Sequence, residues 1–285
     1  MLRLGAMMLL STMLMLVKVS GEHGIGLPEM LFWRQFLPAC AIFGWLAMKG
    51  ELGRLKTDRP RLHAQRAVVG TTNMFLFLGA VQLLPLSEAT VLTFTTPVFA
   101  VLLSALLLHE TVGPFRWAAV LMGLAGVLII VGFDPAHLPP LGVALGLGGA
   151  FGGAIISIQI RQLAMTEESI RVVFWFSAIG AAMLAPGLPV FGRQHSLLDW
   201  ALIGAIGLTG LGAQLLMTAA LRFGTVASVI VMDYSQFFWA TAFGWLVFAQ
   251  LPPTATWIGA PVIIAAGVIV AFREHRSGRA VSAPP

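Results

Sequence analysis

The chain is divided into ten apolar stretches, each about 20 residues long, by short segments that carry most of its charge. An α-helix needs about 20 apolar residues to cross a hydrocarbon core of roughly 30 Å. The stretches are 2–20, 28–49, 66–84, 87–108, 114–133, 141–163, 170–191, 199–221, 225–249 and 254–272. Only 10% of the residues are charged, against about 25% in soluble domains. The sequence therefore predicts an all-α integral membrane protein with ten transmembrane helices.

The first stretch also resembles a secretory signal peptide, because Arg3 precedes an uncharged run from Leu4 to Val17. A signal peptide would end at a cleavage site with small residues, and no Ala-x-Ala pattern occurs before Glu22. The long side chain of Lys18 can reach the membrane interface, which extends a short span. We therefore expect this stretch to be retained as the first transmembrane helix.

The positions of Lys and Arg predict the topology, since positively charged loops stay in the cytoplasm. With a cytoplasmic N-terminus, 14 of the 17 basic residues fall on the cytoplasmic side. These are Arg3, Lys49, Arg54, Lys56, Arg59, Arg61, Arg66, Arg116, Arg161, Arg171, Arg222, Arg273, Arg276 and Arg279. Only Lys18 and Arg193 lie on the opposite side, and Arg34 lies within a stretch. The charges thus favour ten spans with both termini in the cytoplasm, and their placement does not indicate nucleic-acid binding.

Two segments of the chain resemble each other when one is shifted by about 140 positions. Leu86–Val131 aligns with Val226–Ala271, and Trp117 then meets Trp257. Similarity of composition between apolar helices is the alternative explanation. A true repeat would divide the chain into residues 1–134 and 135–285, with five helices in each part. An odd number of helices inserts the second part upside down, which is the inverted-repeat architecture of alternating-access transporters.

Asp233 is the one acidic residue that lies well inside a predicted span. An ionisable side chain in hydrocarbon costs at least about 2.5 kcal/mol, so it needs water, a proton or a partner. Its functional interpretations are a contact with a substrate amine or a carboxylate that couples transport to protons. A structural interpretation is a carboxylate fixed by Ser, Gln or Arg of a neighbouring helix. Tyr234 and Gln236 accompany it, and Gln236 shares its helix face.

The repeat makes Thr93 and Thr96 the counterparts of Asp233 and Gln236. Pro97 cannot donate a backbone hydrogen bond, so the Thr93 carbonyl loses its usual partner and the helix is expected to break. A free carbonyl inside the membrane is tolerated where it lines a cavity or contacts protein or water. These residues therefore predict a midplane binding site, with an ordinary proline kink as the alternative.

Four further residues are candidates for the same site. Arg34 lies about 9 Å inside its span, where it would bind a carboxylate or pair with Asp233, or else snorkel to the interface. Asn73 and Gln214 are neutral and deep, which fits either a cavity or an interhelical hydrogen bond. Trp175 would form the wall of a pocket for an aromatic substrate, or simply pack against other helices.

The order of several short motifs resembles the drug/metabolite transporter superfamily, specifically its ten-helix EamA-type exporters. The motifs are Lys18 at the end of helix 1, Pro28 and Arg34 in helix 2, Thr96-Pro97 within helix 4, His109-Glu110 at its end, and Gly126 in helix 5. The second half departs from the family pattern at Phe237 and Gln250, where Pro and Glu are expected. The resemblance implies a multi-pass protein of the bacterial inner membrane that exports small metabolites, commonly amino acids, through a site between its halves.

The sequence as a whole favours a secondary transporter that exports amino acids, including aromatic or hydrophobic ones. No GxxxxGK[ST] motif is present, so ATP is not its direct energy source, and the substrate gradient and protons both stay open. The six histidines are scattered without metal-ligand spacing, and no catalytic residue, metal or cofactor is predicted. An integral membrane enzyme and a scaffold without transport activity are the alternatives. The expected partners are a small-molecule substrate and the lipid bilayer, and no oligomeric state is predicted.

Overall fold

The architecture was determined from a computed structural model. It describes residues 2–107, 113–132, 138–164, 167–223 and 232–281, and every regular element within these ranges is helical. Two short 3-10 helices occur at Leu52–Leu55 and Ala185–Gly187. The α-helices are α1 (Leu2–Glu22), α2 (Leu27–Met48), α3 (Pro60–Leu83), α4 (Leu86–Thr93), α5 (Thr96–Leu107), α6 (Pro114–Val131), α7 (Pro140–Ala164), α8 (Ser169–Leu184), α9 (Leu188–Phe191), α10 (Leu197–Phe223), α11 (Gln236–Phe248) and α12 (Thr254–Val281).

Within the described ranges, eight helical segments are long and apolar enough to cross a membrane. The helix α3 has 24 residues but more polar ones than these eight, and α11 is a shorter apolar helix of 13 residues. The prediction of a helical membrane protein is therefore confirmed. His109, Glu110 and the beginning of the predicted stretch 225–249 lie outside the described residues.

Two of the predicted continuous spans are interrupted. The stretch 87–108 is divided into α4 and α5 by a turn at Phe94–Thr95, and Pro97 is the second residue of α5. The stretch 170–191 changes from α8 to a 3-10 turn and then to α9, in a segment that contains Pro186 and Pro189. Proline cannot donate the backbone hydrogen bond of a continuing helix but is tolerated in its first turn, which explains both changes.

The predicted start of α3 was wrong. The helix begins at Pro60, six residues before the predicted stretch 66–84, because proline is favourable in a first helical turn. Lys18 contacts the other end of this helix. Its side chain is buried, and its Nζ donates a 2.5 Å hydrogen bond to the carbonyl of Leu84, directly after the C-terminus of α3. A cation at this position satisfies a carbonyl that the helix leaves free.

Several pairs of helices pack along each other. The helix α3 lies along α7, and α1 lies along α10. The crossing of α6 and α12 is especially close, because Gly126 and Gly259 face each other: a methyl group added at Gly259 would lie 2.8 Å from the Gly126 carbonyl oxygen. Small residues are the usual means by which membrane helices approach this closely. Large apolar side chains such as Leu128, Leu208 and Leu246 point outward, as a lipid-facing surface requires.

Candidate functional site

Two helix breaks meet inside the bundle. Between α4 and α5 the turn consists of Phe94 and Thr95, and before α11 the turn consists of Tyr234 and Ser235. The two turns are 140 positions apart, which is the shift that aligns the two segments in the sequence. The edge of one aromatic ring meets the face of the other, with the Phe94 and Tyr234 centroids 5.0 Å apart. The breaks are therefore in direct contact.

The two turns are also stabilised in the same way. The Thr95 hydroxyl donates a 2.7 Å hydrogen bond to the Leu92 carbonyl, and the Ser235 hydroxyl donates one of the same length to the Met232 carbonyl. A short side-chain hydroxyl thus replaces a backbone donor at each break, as Ser and Thr commonly do at interruptions of membrane helices. The sequence prediction of a break next to Pro97 is correct. The Thr93 carbonyl, which Pro97 deprives of its backbone donor, contacts protein: the Thr96 hydroxyl donates a 2.6 Å hydrogen bond to it.

Three of the predicted site residues have buried polar atoms without a hydrogen-bond partner in the described part of the chain. These atoms are Oδ1 of Asn73, the hydroxyl of Tyr234 and Nε2 of Gln236. A buried polar atom without a partner costs about 1–3 kcal/mol. These three atoms, on helices that meet at the breaks, can still accept or donate a hydrogen bond.

Glycines of α7 bring two predicted residues to the same surface. A methyl group added at Gly152 would lie 2.1 Å from Oδ1 of Asn73, and one at Gly153 would lie 3.3 Å from the Thr96 hydroxyl oxygen. Only glycine at residue 152 leaves room for the Asn73 amide in this position. Consecutive residues of α7 thus contact Asn73 of α3 and Thr96 of α5, which brings these two side chains to the same helix.

Asp233 is paired with an arginine, but not with the one that the sequence favoured. Its carboxylate accepts two hydrogen bonds from Arg3 of α1, one from Nε and one from Nη2, the latter at 2.6 Å. The Arg3 side chain is 10% exposed and the Asp233 side chain is 29% exposed. Asp233 therefore has a partner on a neighbouring helix, as its structural interpretation requires, and that partner is Arg3 and not Arg34. The pair joins α1 to the break before α11.

Arg34 lies inside the bundle instead of reaching the interface. It is 8% exposed, and its Nε and Nη1 lie 3.1 Å and 3.2 Å from the sulfur atoms of Met13 and Met74. A thioether sulfur is a weak acceptor, so these contacts satisfy a guanidinium poorly. Gly210 of α10 faces the same group: a methyl group there would lie 3.5 Å from Nε of Arg34.

Trp175 lies in α8, next to the segment between α2 and α3. Its indole nitrogen donates a 2.9 Å hydrogen bond to the carbonyl of Leu55, in the segment 49–59 between α2 and α3. Within the described ranges, its ring contacts are with His63 and Phe174, which do not belong to the helix breaks. Gln214 lies in α10 and is half-buried.

A charged cluster near Trp175 joins the segment 49–59 to the segment 167–171. Glu167 accepts 2.6 Å hydrogen bonds from Thr57 and Arg171, and one of its oxygens is 3.6 Å from Nε2 of His63. Burial lowers the pKa of His63 below its ordinary 6.5, although Glu167 raises it. Burial raises the pKa of Glu167, but the hydrogen bonds from Thr57 and Arg171 outweigh this and keep it below 4.5. Glu167 therefore stays ionised at neutral pH.

The sequence did not single out Arg3, Gln35, Arg66 and Thr71 as site residues. Both arginines follow the positive-inside pattern and were interpreted as topological charges. In the structure Arg3 binds Asp233, and Arg66 is buried against the ring of Phe176. Gln35 donates to the Thr71 hydroxyl at 3.1 Å. The position of Arg66 at the first residue of its predicted span was the available signal.

An all-helical bundle with apolar outer faces, broken helices and unpaired polar atoms inside is typical of multi-pass membrane proteins that carry solutes. The chain belongs to the EamA-like transporter family, whose model matches residues 1–132 and 140–273. It is thus a transporter and not an enzyme. A solved crystal structure matches with a TM-score of 0.65 at 22% identity, and the match covers 96% of both chains.

The chain also resembles transporters with different solutes. It is 27% identical over 240 residues to the pseudopaline exporter of Pseudomonas aeruginosa, with 84% of each chain covered. It is 28% identical over 245 residues to the riboflavin transporter of Vibrio cholerae, covering 84% of this chain and 80% of that one. It is 22% identical over 249 residues to the S-adenosylmethionine uptake transporter of Rickettsia bellii, covering 87% and 85%. These relatives differ in solute and include both an exporter and an uptake transporter.

Proposed function

We propose that this chain is a secondary transporter that exports small metabolites, with amino acids as the favoured class. It works by alternating access around a cavity between two inverted five-helix repeats, residues 1–134 and 135–285. The observation that carries the proposal is the contact between two equivalent helix breaks, at Phe94–Thr95 and Tyr234–Ser235. Inverted-repeat transporters hold their solute where such breaks meet.

The packing of the helices supports the repeat. A shift of 140 turns Gly123 into Ile263 and Gly126 into Ala266. A methyl group at Gly123 would lie 3.6 Å from Cβ of Ala266, and one at Gly126 would lie 2.6 Å from Cγ1 of Ile263. Exchanging the two repeats converts one of these contacts into the other. The two separate family matches, at 1–132 and 140–273, agree with the same division.

We count ten spans by adding α3 and α11 to the eight apolar segments. The 24 residues of α3 extend about 36 Å at 1.5 Å per residue, which is enough for a hydrocarbon core. Its polar residues include Thr71 and Asn73, which face other helices and not lipid. With ten spans, the basic segment 49–59 and both termini lie in the cytoplasm.

The substrate site comprises Asn73, Thr93, Thr96, Tyr234 and Gln236 around the breaks, with Asp233 and Arg34 beside them and Gln214 on α10. Unpaired polar atoms on Asn73, Tyr234 and Gln236 support this assignment. The assignment of Trp175 to the site has no support from its contacts, since its indole is bound to the segment 49–59.

Counterflow in proteoliposomes tests the function. Liposomes containing the full chain and an unlabelled amino acid should accumulate the labelled amino acid above its external concentration for a time. The panel includes aromatic, hydrophobic and charged amino acids, with riboflavin and a sugar as further solutes.

Two variants locate the site: Asn73→Ala and Gln236→Ala should each reduce counterflow at least tenfold. Gly44→Ala is the control and should not reduce it, because its new methyl group contacts nothing within 4 Å. Absence of counterflow for the whole panel would argue against a carrier of these solutes, whereas flux without exchange kinetics would indicate a channel.

A further inference from the structure

Two arginines are buried in the bundle without a carboxylate partner in the described part of the chain. Arg34 and Arg66 are both 8% exposed. Two other arginines, by contrast, have carboxylate partners: Arg3 binds Asp233 and Arg171 binds Glu167. A buried charge is costly unless it is paired and hydrogen-bonded, and inside a membrane such a residue almost always serves a solute, an ion or a partner. Two unpaired guanidinium groups therefore need an explanation.

The Arg66 side chain extends toward the C-terminus of its helix. Arg66 lies six residues after the start of α3 at Pro60, where a long side chain could return to the interface. The Nη1 atom of Arg66 instead occupies the space beside Gly70: a Cβ added at Gly70 would lie 2.1 Å from Nη1. Helical side chains normally lean toward the helix N-terminus, whereas this one extends a full turn toward the C-terminus. The absence of a side chain at Gly70 opens this path into the bundle.

The guanidinium of Arg66 is held by a ring and not by acceptors. Its Cζ lies 4.4 Å from the centroid of Phe176, a cation–π distance. Its Nε and Nη1 are buried and donate to no atom of the described chain. The ring contact uses none of these donors. Nε and Nη1 lie on different edges of the guanidinium, and each can donate a charge-assisted hydrogen bond to an oxygen of a carboxylate or a phosphate.

Arg34 belongs to the same region. The two guanidinium groups repel each other electrostatically, so each raises the need for an anion near the other. Gln35, which follows Arg34, donates a 3.1 Å hydrogen bond to Thr71, which follows Gly70. Gln35 also retains a buried Oε1 without a partner. One hydrogen bond thus ties the helix turn that carries Arg34 to the turn that Arg66 reaches.

We propose that Arg34 and Arg66 bind an oxyanion, a carboxylate or a phosphate, of the transported solute. The proposal rests on the proposed function and adds the charge of the substrate to it. The anion accepts hydrogen bonds from the free donors of Arg66 and neutralises both guanidinium groups. The free Oε1 of Gln35 accepts a hydrogen bond from a hydroxyl or amine beside the anionic group. A solute with a net negative charge binds more tightly than its neutral amide or ester.

Binding of simple anions to the purified full chain tests this without requiring transport. The chain is placed in nanodiscs of phosphatidylcholine, and its thermal unfolding is followed with citrate, glutamate or inorganic phosphate against sodium chloride of equal ionic strength. At least one of the three anions should raise the Tm in a saturable way. Glutamine, which lacks the side-chain carboxylate, should act at least tenfold more weakly than glutamate if glutamate is the anion that binds.

Four variants localise the effect. Arg34→Gln, Arg66→Gln and Arg66→Lys should each weaken binding of the anion at least tenfold. For Arg66→Lys the reason is that an ammonium lacks the planar array of donors of a guanidinium. Gly70→Ala should do the same while both arginines remain, because the methyl group displaces the flexible end of Arg66. Arg61→Gln, which removes an exposed charge of the same helix, should leave the shift unchanged and serves as the matched control.

The outcomes separate the two proposals. A saturable shift that is lost in the four variants supports the site, even where the chain shows no counterflow. Two results overturn the site: no anion raises the Tm, or the anion raises the Tm equally in the wild type and all four variants. If counterflow of an amino acid is observed together with either result, the proposed function still stands. Stabilisation that occurs only when phosphatidylglycerol is added to the nanodiscs also overturns it, since the arginines would then bind a lipid headgroup. Unfolded Arg66→Gln preparations do not decide the matter, because Arg66→Lys and Gly70→Ala give the same test.

Discussion

Phe94 and Tyr234 lie 140 positions apart in the chain, and their rings meet edge to face with centroids 5.0 Å apart. Each ring belongs to a turn that interrupts a helix, so the pair joins the two breaks at the centre of the proposed site. The Tyr234 hydroxyl also fits into the space left by Gly267, where an added methyl group would lie 1.9 Å from it. The relative position of the breaks thus depends on these two rings.

A double-mutant cycle measures this contact. Phe94→Leu and Tyr234→Leu should each destabilise the protein, and the cycle should give a coupling of about 0.5–1.5 kcal/mol, as for other edge-to-face pairs. The free energy of unfolding is obtained by titration of mixed micelles with a denaturing detergent. Effects that simply add would show that the rings are neighbours without a specific interaction.

Breaking the pair between Arg3 and Asp233 should destabilise the protein. Asp233→Asn leaves the Arg3 guanidinium, which is 10% exposed, without its counter-ion. Loss of one partner of a fully buried pair costs about 3–5 kcal/mol; we expect about 1–3 kcal/mol here, because the Asp233 side chain is 29% exposed. Arg3→Gln combined with Asp233→Asn should recover most of this in thermal unfolding. A double variant as unstable as the sum of the singles would contradict the pairing.

The same Asp233→Asn variant tests proton coupling. If Asp233 carries the coupling proton, transport by this variant should no longer depend on the pH gradient. Counterflow does not require a gradient, so it should persist and show that the variant is folded. Gradient-driven transport with an unaltered pH dependence would exclude this role for Asp233.

The crossing of α6 and α12 should tolerate no added volume. Gly259→Ala would place a methyl group 2.8 Å from the Gly126 carbonyl oxygen and 2.5 Å from Cγ1 of Ile130, and we expect a loss of about 1–3 kcal/mol from overpacking. Gly44→Ala is the control, since its methyl group contacts nothing within 4 Å; alanine is the better helix former by about 0.8–1.0 kcal/mol. Equal Tm values for the two variants would show that the helices separate at little cost.

Acidification should weaken the charged cluster around His63. Its lowered pKa means that the unfolded chain takes up a proton near pH 6.5 while the folded chain does not. Stability therefore falls as the pH falls from 6.5 through the folded-state pKa. Between pH 7 and pH 5, the Tm of His63→Gln should decrease less than the Tm of the wild type. Glu167 does not interfere in this window, because its own contribution is lost only below 4.5. Parallel pH profiles would exclude His63 as the responsible group.

The sequence predicted the helices well because the bilayer admits few alternatives. A long apolar run must satisfy its backbone internally, and Pro97 indicates where that is interrupted. The break before α11 has no proline, since Phe237 occupies the corresponding position, and the stretch 225–249 was predicted as one continuous span. Neither this break nor the ring contact across it was predicted.

Side-chain partners were less predictable, because they depend on contacts between distant parts of the chain. Lys18 binds a carbonyl 66 positions away, and Arg3 binds a carboxylate 230 positions away. The positive-inside rule accounts for Arg3 and Arg66 as topology signals, and this concealed their other roles. Where one rule already explains a residue, the sequence gives no reason to seek a second explanation.

The glycine at position 70 has a consequence for how such proteins diverge. Every glycine codon becomes an alanine codon by one base change, so a single point mutation could remove the path of Arg66 without touching either arginine. Natural relatives that keep both arginines but carry a larger residue at this position should then have lost the preference for acidic solutes. In a comparison of genomes, the small residue at position 70 would be a better marker of substrate charge than the charged residues themselves.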